Sequence, residues 1–191
     1  MKNTIKISDL SKKEYNRYLE LYARLSLEKA YDISYGQLDK KESPDWQSET
    51  LGIGLEVTQG ISCHEGLTNA IAQRYFGREL DGDYILQEVK KHFPKFKGNI
   101  ESVDGVTILS NSKGLYDFSM YINNIQKVYL EKTKKLNRNY KVFKSNQLYI
   151  FTFQSTIIED DIIGFFNLID NEFKLQFDVC FINCIHVLYV C

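Results

Sequence analysis

The sequence has few of the features that mark an unusual architecture. Only two prolines occur in 191 residues, and no Gly/Ser-rich or low-complexity stretch is present, so neither a linker nor a disordered tail is expected. The most apolar segment, 179–190, is too short to span a membrane and contains Asn183 and His186. No apolar run follows the lysines of residues 1–10, so a secretory signal is not expected. These absences predict a soluble, cytoplasmic protein with a single domain over residues 1–191.

Cysteine is scarce, and its spacing indicates no covalent or metal framework. Cys63, Cys180, Cys184 and Cys191 do not follow the spacing of a disulfide scaffold or a zinc finger, and reduced thiols fit a cytoplasmic protein. Alternate residues of a strand lie about 6.6 Å apart. Cys180 and Cys184 therefore cannot both reach one zinc ion, whose bonds are about 2.3 Å long. We expect buried thiols, with His186 in the core.

A strong net charge is also absent, but the charges are unevenly distributed. The formal net charge is −1, whereas residues 111–145 are mainly basic and residues 155–178 mainly acidic. The basic segment can guide an anion such as DNA, or it can be a solvated helix face. The residues predicted to contact DNA are Lys127, Lys134, Lys135, Arg138 and Lys141.

Apolar periodicity predicts an α/β fold with a central mixed β-sheet flanked by helices. Helical spacing covers residues 11–29, 62–76, 84–93, 116–139 and 159–168. Strand patterns cover residues 51–58, 103–109, 147–153 and 177–190, and residues 45–49 are the antiparallel partner of the first of these strands.

The hairpin over residues 45–58 contains the most specific pattern. Apolar residues alternate with Gly52, Gly54, Glu56 and Thr58, as in a half-buried strand. With a turn at residues 50–51, Asp45 pairs directly with Glu56, and such pairs have Cβ atoms about 4.5–5.5 Å apart on one face. Thr58 joins that face.

Two carboxylates placed together indicate a divalent cation. Like charges in opposite positions are destabilising, and Mg²⁺ takes one or two carboxylates while keeping several waters. The glycines leave this face bare, as happens where another group approaches the backbone closely. The alternative is that Glu56 points at water and Asp45 caps a turn after Pro44.

The pattern Pro44-Asp45, ten residues, then Glu56-Val57-Thr58 resembles the signature of the PD-(D/E)XK nuclease superfamily. That resemblance implies a restriction-endonuclease-like core, Mg²⁺ or Mn²⁺ as cofactor, and Asp45 and Glu56 as metal ligands and catalytic residues. A third acid often comes from the N-terminal helix of this superfamily. Glu14 is our candidate for it, while Glu20 is expected to be solvated.

Thr58 departs from the signature, which has a lysine at that position. A hydroxyl can hydrogen-bond and orient water, but it brings no positive charge. A cation could come from elsewhere in the fold, such as Lys90, Lys91 or Lys127. The sequence therefore predicts a metal-dependent nuclease acting on DNA, with Asp45, Glu56 and Thr58 as catalytic residues. The alternative is an inactive protein of the same fold that binds nucleic acid or protein.

Overall fold

Helices and strands alternate along the chain as the apolar periodicity predicts. The computed structural model describes residues 10–75, 80–96, 98–103, 106–110, 118–152, 164, 173–184 and 187–191. The helices are α1 Lys12–Ala30, α2 Cys63–Tyr75, α3 Gly82–His92 and α4 Phe118–Leu136. The strands are β1 Asp39–Lys40, β2 Trp46–Ser48, β3 Ile53–Gln59, β4 Asn99–Val103, β5 Val106–Ser110, β6 Ser145–Phe151, β7 Val179–Asn183 and β8 Leu188–Val190.

The chain divides into two compact units. The smaller unit contains residues 1–15 and 62–117, and the larger unit contains residues 16–61 and 118–191. The α/β class and the central mixed sheet are confirmed. That the core is restriction-endonuclease-like, and that residues 1–191 form one domain, stay predictions.

The larger unit is built on a six-stranded sheet in the order β1-β2-β3-β6-β7-β8. Strands β3, β6 and β7 run parallel, and the outer pairs β1–β2, β2–β3 and β7–β8 are antiparallel. Parallel strands are normally covered on both faces. Strand β6 follows that rule, because six of its seven residues are buried.

Helix α1 covers one face of this sheet. Its buried side chains Leu19, Ala23 and Leu27 recur at the four-residue spacing of one helix face. The Tyr22 ring lies 5.8 Å from the Phe151 ring, and Ser26 shares a 3.0 Å hydrogen bond with the Tyr149 hydroxyl.

Helix α4 covers the opposite face. Its Ile125 and Tyr129 pack into a buried cluster with Leu148, Ile150, Cys180, Ile182 and Cys184. Because successive residues of a strand face opposite sides, Leu148 and Ile150 meet α4 while Tyr149 and Phe151 meet α1. The larger unit therefore has three layers, with the sheet between the two helices.

The smaller unit has its own core. Ile71 and Tyr75 of α2 pack with Ile85 and Val89 of α3. Strands β4 and β5 form an antiparallel hairpin. Asp81 caps the start of α3, and its carboxylate accepts from the backbone N–H groups of residues 83 and 84.

One predicted strand needs correction, and two strands of the structure were not predicted. The single strand predicted over residues 177–190 is two antiparallel strands, β7 and β8. Cys184 and Val187 exchange backbone hydrogen bonds where these strands meet. No glycine or proline in this part of the sequence marks that reversal. The strand predicted over residues 103–109 corresponds to β5, whereas its partner β4 and strand β1 were not predicted. The helix predicted over residues 159–168 lies outside the described residues except for Gly164, which is helical.

Among the helices that the structure describes, none combines the length and apolar character needed to cross a membrane.

Candidate functional site

The hairpin has the register that the sequence predicts. Trp46 pairs with Leu55 and Ser48 pairs with Ile53, so the same register continued by one step places Asp45 opposite Glu56. Gly52 closes the turn with a φ of 66°, and its N–H donates to the Glu49 carbonyl. A positive φ is readily adopted by glycine. Alternation and turn position together bring Asp45, immediately before β2, close to Glu56 on β3.

Asp45 is held by the strand that carries Glu56. Its Oδ2 accepts a 2.9 Å hydrogen bond from the backbone N–H of Val57, and its Oδ1 accepts one from Lys40 Nζ at 3.2 Å. The same Lys40 ammonium lies 2.8 Å from Glu20 Oε2 on α1. The Asp45 carboxylate is therefore fixed in direction by the backbone and by a lysine shared with a second acid.

Glu56 is buried and engaged by two donors. Its residue is 5% exposed. Its Oε1 lies 2.5 Å from Lys132 Nζ on α4 and accepts a 2.7 Å hydrogen bond from the Tyr140 hydroxyl. The alternative in which Glu56 points at water is therefore wrong, because the side chain faces α4 and the segment that follows it.

Burial and the Lys132 charge shift the pKa of Glu56 in opposite directions. Burial raises the pKa of this carboxyl, the Asp45 charge raises it further, and the Lys132 ammonium opposes both. Burial and the neighbouring Glu56 also raise the pKa of Tyr140, so its hydroxyl stays protonated and donates. Asp45 and Glu56 are thus close enough to influence each other electrostatically.

The lack of side chains at Gly52 and Gly54 was predicted to leave a bare surface beside the two acids, but at Gly54 the structure gives a different reason for it. A Cβ on Gly54 would lie 2.5 Å from Phe143 Cδ2 and 2.9 Å from Pro44 Cγ. The groups that approach this backbone are therefore the protein's own side chains. The expectation of a bare surface next to the two acids is wrong at Gly54.

Thr58 follows Glu56 by two positions on β3, so it lies on the same face of the strand. It is half-buried and pairs with Ile150 of β6. Its role in orienting water stays a prediction.

The candidate third acid, Glu14, has a local structural role. Its carboxylate accepts from the backbone N–H of Ser11 at 2.7 Å, and its own N–H donates to Ser11 Oγ at 3.3 Å. This reciprocal pair is a capping box, which stabilises the start of α1. Metal binding by Glu14 stays a prediction. The expectation that Glu20 is solvated is wrong, because its side chain is 19% exposed and pairs with Lys40.

Lys132 and Tyr140 were missed by the sequence reasoning. One signal was available for Lys132. It follows Tyr129 by three residues and precedes Leu136 by four, so a lysine lies on the apolar stripe of α4. Tyr140 lies beyond the end of α4, and no local pattern marks it.

The residues predicted to contact DNA are exposed in the structure: Lys127, Lys134, Lys135, Arg138 and Lys141. Lys141 forms an ion pair with Glu49 of the hairpin. Contact between these residues and DNA stays a prediction.

The acids can provide a small donor set for a divalent cation. Within the described part of the chain, no cluster of three or more His, Cys, Asp or Glu side chains could hold a metal ion. Two carboxylates suffice for Mg²⁺ where water and substrate phosphate complete its shell. Among the described contacts, both hydrogen bonds to Glu56 end on Oε1, so Oε2 is the oxygen that a cation would take.

Known protein families, curated proteins and solved structures contain no match to this chain.

Proposed function

We propose that this protein hydrolyses phosphodiester bonds in DNA, using Mg²⁺ or Mn²⁺ held by Asp45 and Glu56, as a divergent PD-(D/E)XK nuclease. The observation that carries the proposal is the contact between Lys132 Nζ and Glu56 Oε1 at 2.5 Å. Through this contact, Lys132 of α4 brings an amine to the site. Thr58, at the position of the signature lysine, does not provide one. Two acids and an amine then meet at one end of the hairpin.

The charges of the site favour a divalent cation. Three acids (Glu20, Asp45 and Glu56) share two lysines, because Lys40 lies between Glu20 and Asp45 while Lys132 contacts Glu56. With all five groups ionised, the cluster carries one negative charge in a largely buried place. Uncompensated buried charge is unfavourable, so an added cation would stabilise the ionised acids.

Each residue has a defined part in the proposed reaction. The Val57 N–H and Lys40 orient Asp45, and Tyr140 and Lys132 hold Glu56 Oε1, so the two carboxylates are positioned before substrate binds. Lys132 provides positive charge near the phosphate that is attacked. A divalent cation at these acids would lower the pKa of bound water and offset charge on the phosphate.

The basic residues of α4 and the segment after it would guide the DNA strand. Lys134, Lys135 and Arg138 are exposed and follow Lys132 closely along the chain. Such cations bind phosphates without reading base sequence. The proposal therefore includes a backbone-contacting role for this segment.

Cleavage assays test the proposal directly. Supercoiled plasmid and end-labelled oligonucleotides are incubated with Mg²⁺ or Mn²⁺ and with wild type, Asp45→Asn or Glu56→Gln. We expect each substitution to lower the rate by about 100-fold or more. Glu49→Gln is the matched control, because this acid belongs to the same hairpin but its side chain is 70% exposed. Cleavage that survives both site substitutions would rule out the assignment.

A second candidate function is DNA binding without cleavage. Thr58 at the signature lysine position favours it, as does the engagement of Glu56 Oε1 by two donors of the protein itself. Calorimetry that detects metal and DNA binding, together with no cleavage by wild type, would select this alternative.

A further inference from the structure

Two cysteines lie directly opposite each other in the β7–β8 hairpin. Phe181 pairs with Val190, and the next step of that register joins Cys180 to Cys191. The Cys180 N–H donates to the Cys191 carbonyl at 2.8 Å, and the Cys191 N–H donates to the Cys180 carbonyl at 2.9 Å. This exchange identifies a hydrogen-bonded pair of an antiparallel ladder.

The backbone separation in such a pair suits a disulfide. Opposed residues that exchange both hydrogen bonds have Cα atoms about 5.5 Å apart, inside the range of about 4.4–6.8 Å found across disulfides. Their side chains also point to the same face of the sheet. Cβ atoms in cross-strand pairs are about 4.5–5.5 Å apart, whereas disulfides have them at about 3.5–4.5 Å. Closing the bond therefore requires a small local shift that leaves strain.

The two thiols differ in their exposure to solvent. Cys191 is exposed and Cys180 is buried, at 2% exposure. Burial, with the nearby Cys191 adding to it, raises the pKa of the Cys180 thiol. An oxidant in solution therefore meets Cys191 first, and Cys180 is placed to react second.

We propose that Cys180 and Cys191 form a reversible disulfide by exchange with a low-molecular-weight disulfide such as oxidised glutathione. The Cys191 thiolate attacks one sulfur of the small disulfide, which forms a mixed disulfide and releases one thiol. Cys180 then loses its proton to solvent and attacks Cys191 Sγ, which releases the second thiol. Two protein thiols are oxidised and one small disulfide is reduced to two thiols.

Strain makes this bond reversible rather than permanent. Strained disulfides have more oxidising potentials and are reduced more readily than structural ones. When formed, the bond fastens β8, the outermost strand of the described sheet, to β7. The inference does not depend on the proposed nuclease activity.

Redox titration of the native, full chain tests the proposal. The protein is equilibrated in glutathione buffers of increasing oxidised-to-reduced ratio, free thiols are alkylated, and the chain is digested and analysed by mass spectrometry. Trypsin leaves Cys180, Cys184 and Cys191 in one peptide, because no Lys or Arg follows Lys174. Chymotrypsin separates them by cutting after Phe181 and Tyr189.

The expected result is a cross-linked peptide joining Cys180 to Cys191, whose fraction rises with the oxidised-to-reduced ratio and falls again on adding reduced glutathione. Cys184→Ser, which removes a fully buried thiol of the same hairpin, should retain it. Cys180→Ser should instead accumulate a glutathione adduct on Cys191.

Three outcomes would overturn the proposal. They are a wild-type chain that acquires only the adduct on Cys191, a cross-link that disappears in Cys184→Ser, and a cross-link that forms only after denaturation in urea. Circular dichroism of each variant establishes that the comparison is made between folded chains.

Discussion

At the scale of single residues, the site is defined by what surrounds one buried carboxylate. Glu56 is 5% exposed, and a buried acid needs a counter-charge and hydrogen bonds to remain ionised. Lys132 supplies the first, and both Lys132 and Tyr140 supply the second. The same lysine that permits Glu56 to be buried is therefore also the positive charge available for chemistry.

Lys132→Met removes both roles at once. Without the amine we expect DNA cleavage to fall by about 100-fold or more. We also expect metal binding measured by calorimetry to weaken, because loss of the Lys132 ammonium raises the pKa of the buried Glu56 carboxyl further. Cleavage kinetics and calorimetry are read on the same preparation, after circular dichroism has established the fold.

Lys29→Met is the control for that substitution, since Lys29 is an exposed lysine of α1 in the same unit and has no part in the proposed site. We expect its cleavage to stay close to that of wild type. Equal cleavage by Lys132→Met and wild type would contradict a catalytic part for this amine.

At the scale of elements, strand β3 shows how one segment serves both packing and the site. Its Leu55 and Val57 are buried on one face, and Glu56 is buried on the other. The alternation of apolar and polar residues predicts that the face with Leu55 and Val57 is buried. It indicates only that the face with Glu56 is polar, and not that it is buried. Phe143 and Pro44 close that second face over Gly54, so the glycine is required by packing.

Gly54→Ala tests this packing. The added methyl group would overlap Phe143 and Pro44, which belong to packed parts of the larger unit, so we expect a loss of about 1–3 kcal/mol in the free energy of unfolding. Urea denaturation followed by circular dichroism measures the change.

Gly36→Ala is the matched control for Gly54→Ala. A Cβ there would meet Glu28 Oε1 at 2.6 Å, but that atom is the end of a flexible side chain that can turn away. A loss as large for Gly36→Ala as for Gly54→Ala would show that the effect does not come from packing against Phe143.

At the scale of the whole molecule, the stability of the larger unit depends on tyrosine side chains that are buried on the α1 side of its sheet. Tyr35 and Tyr149 are 2% and 0% exposed. Tyr35 donates to Gln147 Oε1 at 2.7 Å, and Tyr149 shares a hydrogen bond with Ser26. Burial, the first cause in each case, raises the pKa of Tyr35 to about 12 and that of Tyr149 to about 12.

These pKa values predict a loss of stability at alkaline pH. In the unfolded chain both tyrosines release their protons near the ordinary value of 10.0, whereas the folded chain retains them. Stability is therefore fully present below pH 10 and is lost as pH rises toward 12, by about 3 kcal/mol for each tyrosine, since one pKa unit corresponds to about 1.4 kcal/mol.

Urea denaturation at a series of pH values measures this loss, and tyrosinate absorbance reports the ionisation itself. Tyr149→Phe should show a shallower decline above pH 10, because one of the tyrosines with a raised pKa no longer titrates. A decline of equal slope in Tyr149→Phe would contradict the role assigned to Tyr149.

The sequence by itself determined those features that depend on local periodicity. Alternation from residue 51 to residue 58 is sufficient to predict the strand. The turn position is sufficient to predict the pairing of Trp46 with Leu55, one step from Asp45 and Glu56. Helical spacing likewise located α1 and α4 to within a few residues. These patterns are readable because a side chain's direction follows directly from the backbone period.

Only the tertiary structure decided which distant residues complete the site. Lys132 and Tyr140 lie 76 and 84 positions from Glu56 along the chain, and only the packing of α4 against the sheet brings them to it. The Cys180–Cys191 pair depends on a chain reversal inside an apolar run that carries no glycine or proline signal. In both cases the contact arises from how elements pack and pair, which no local period of the sequence encodes.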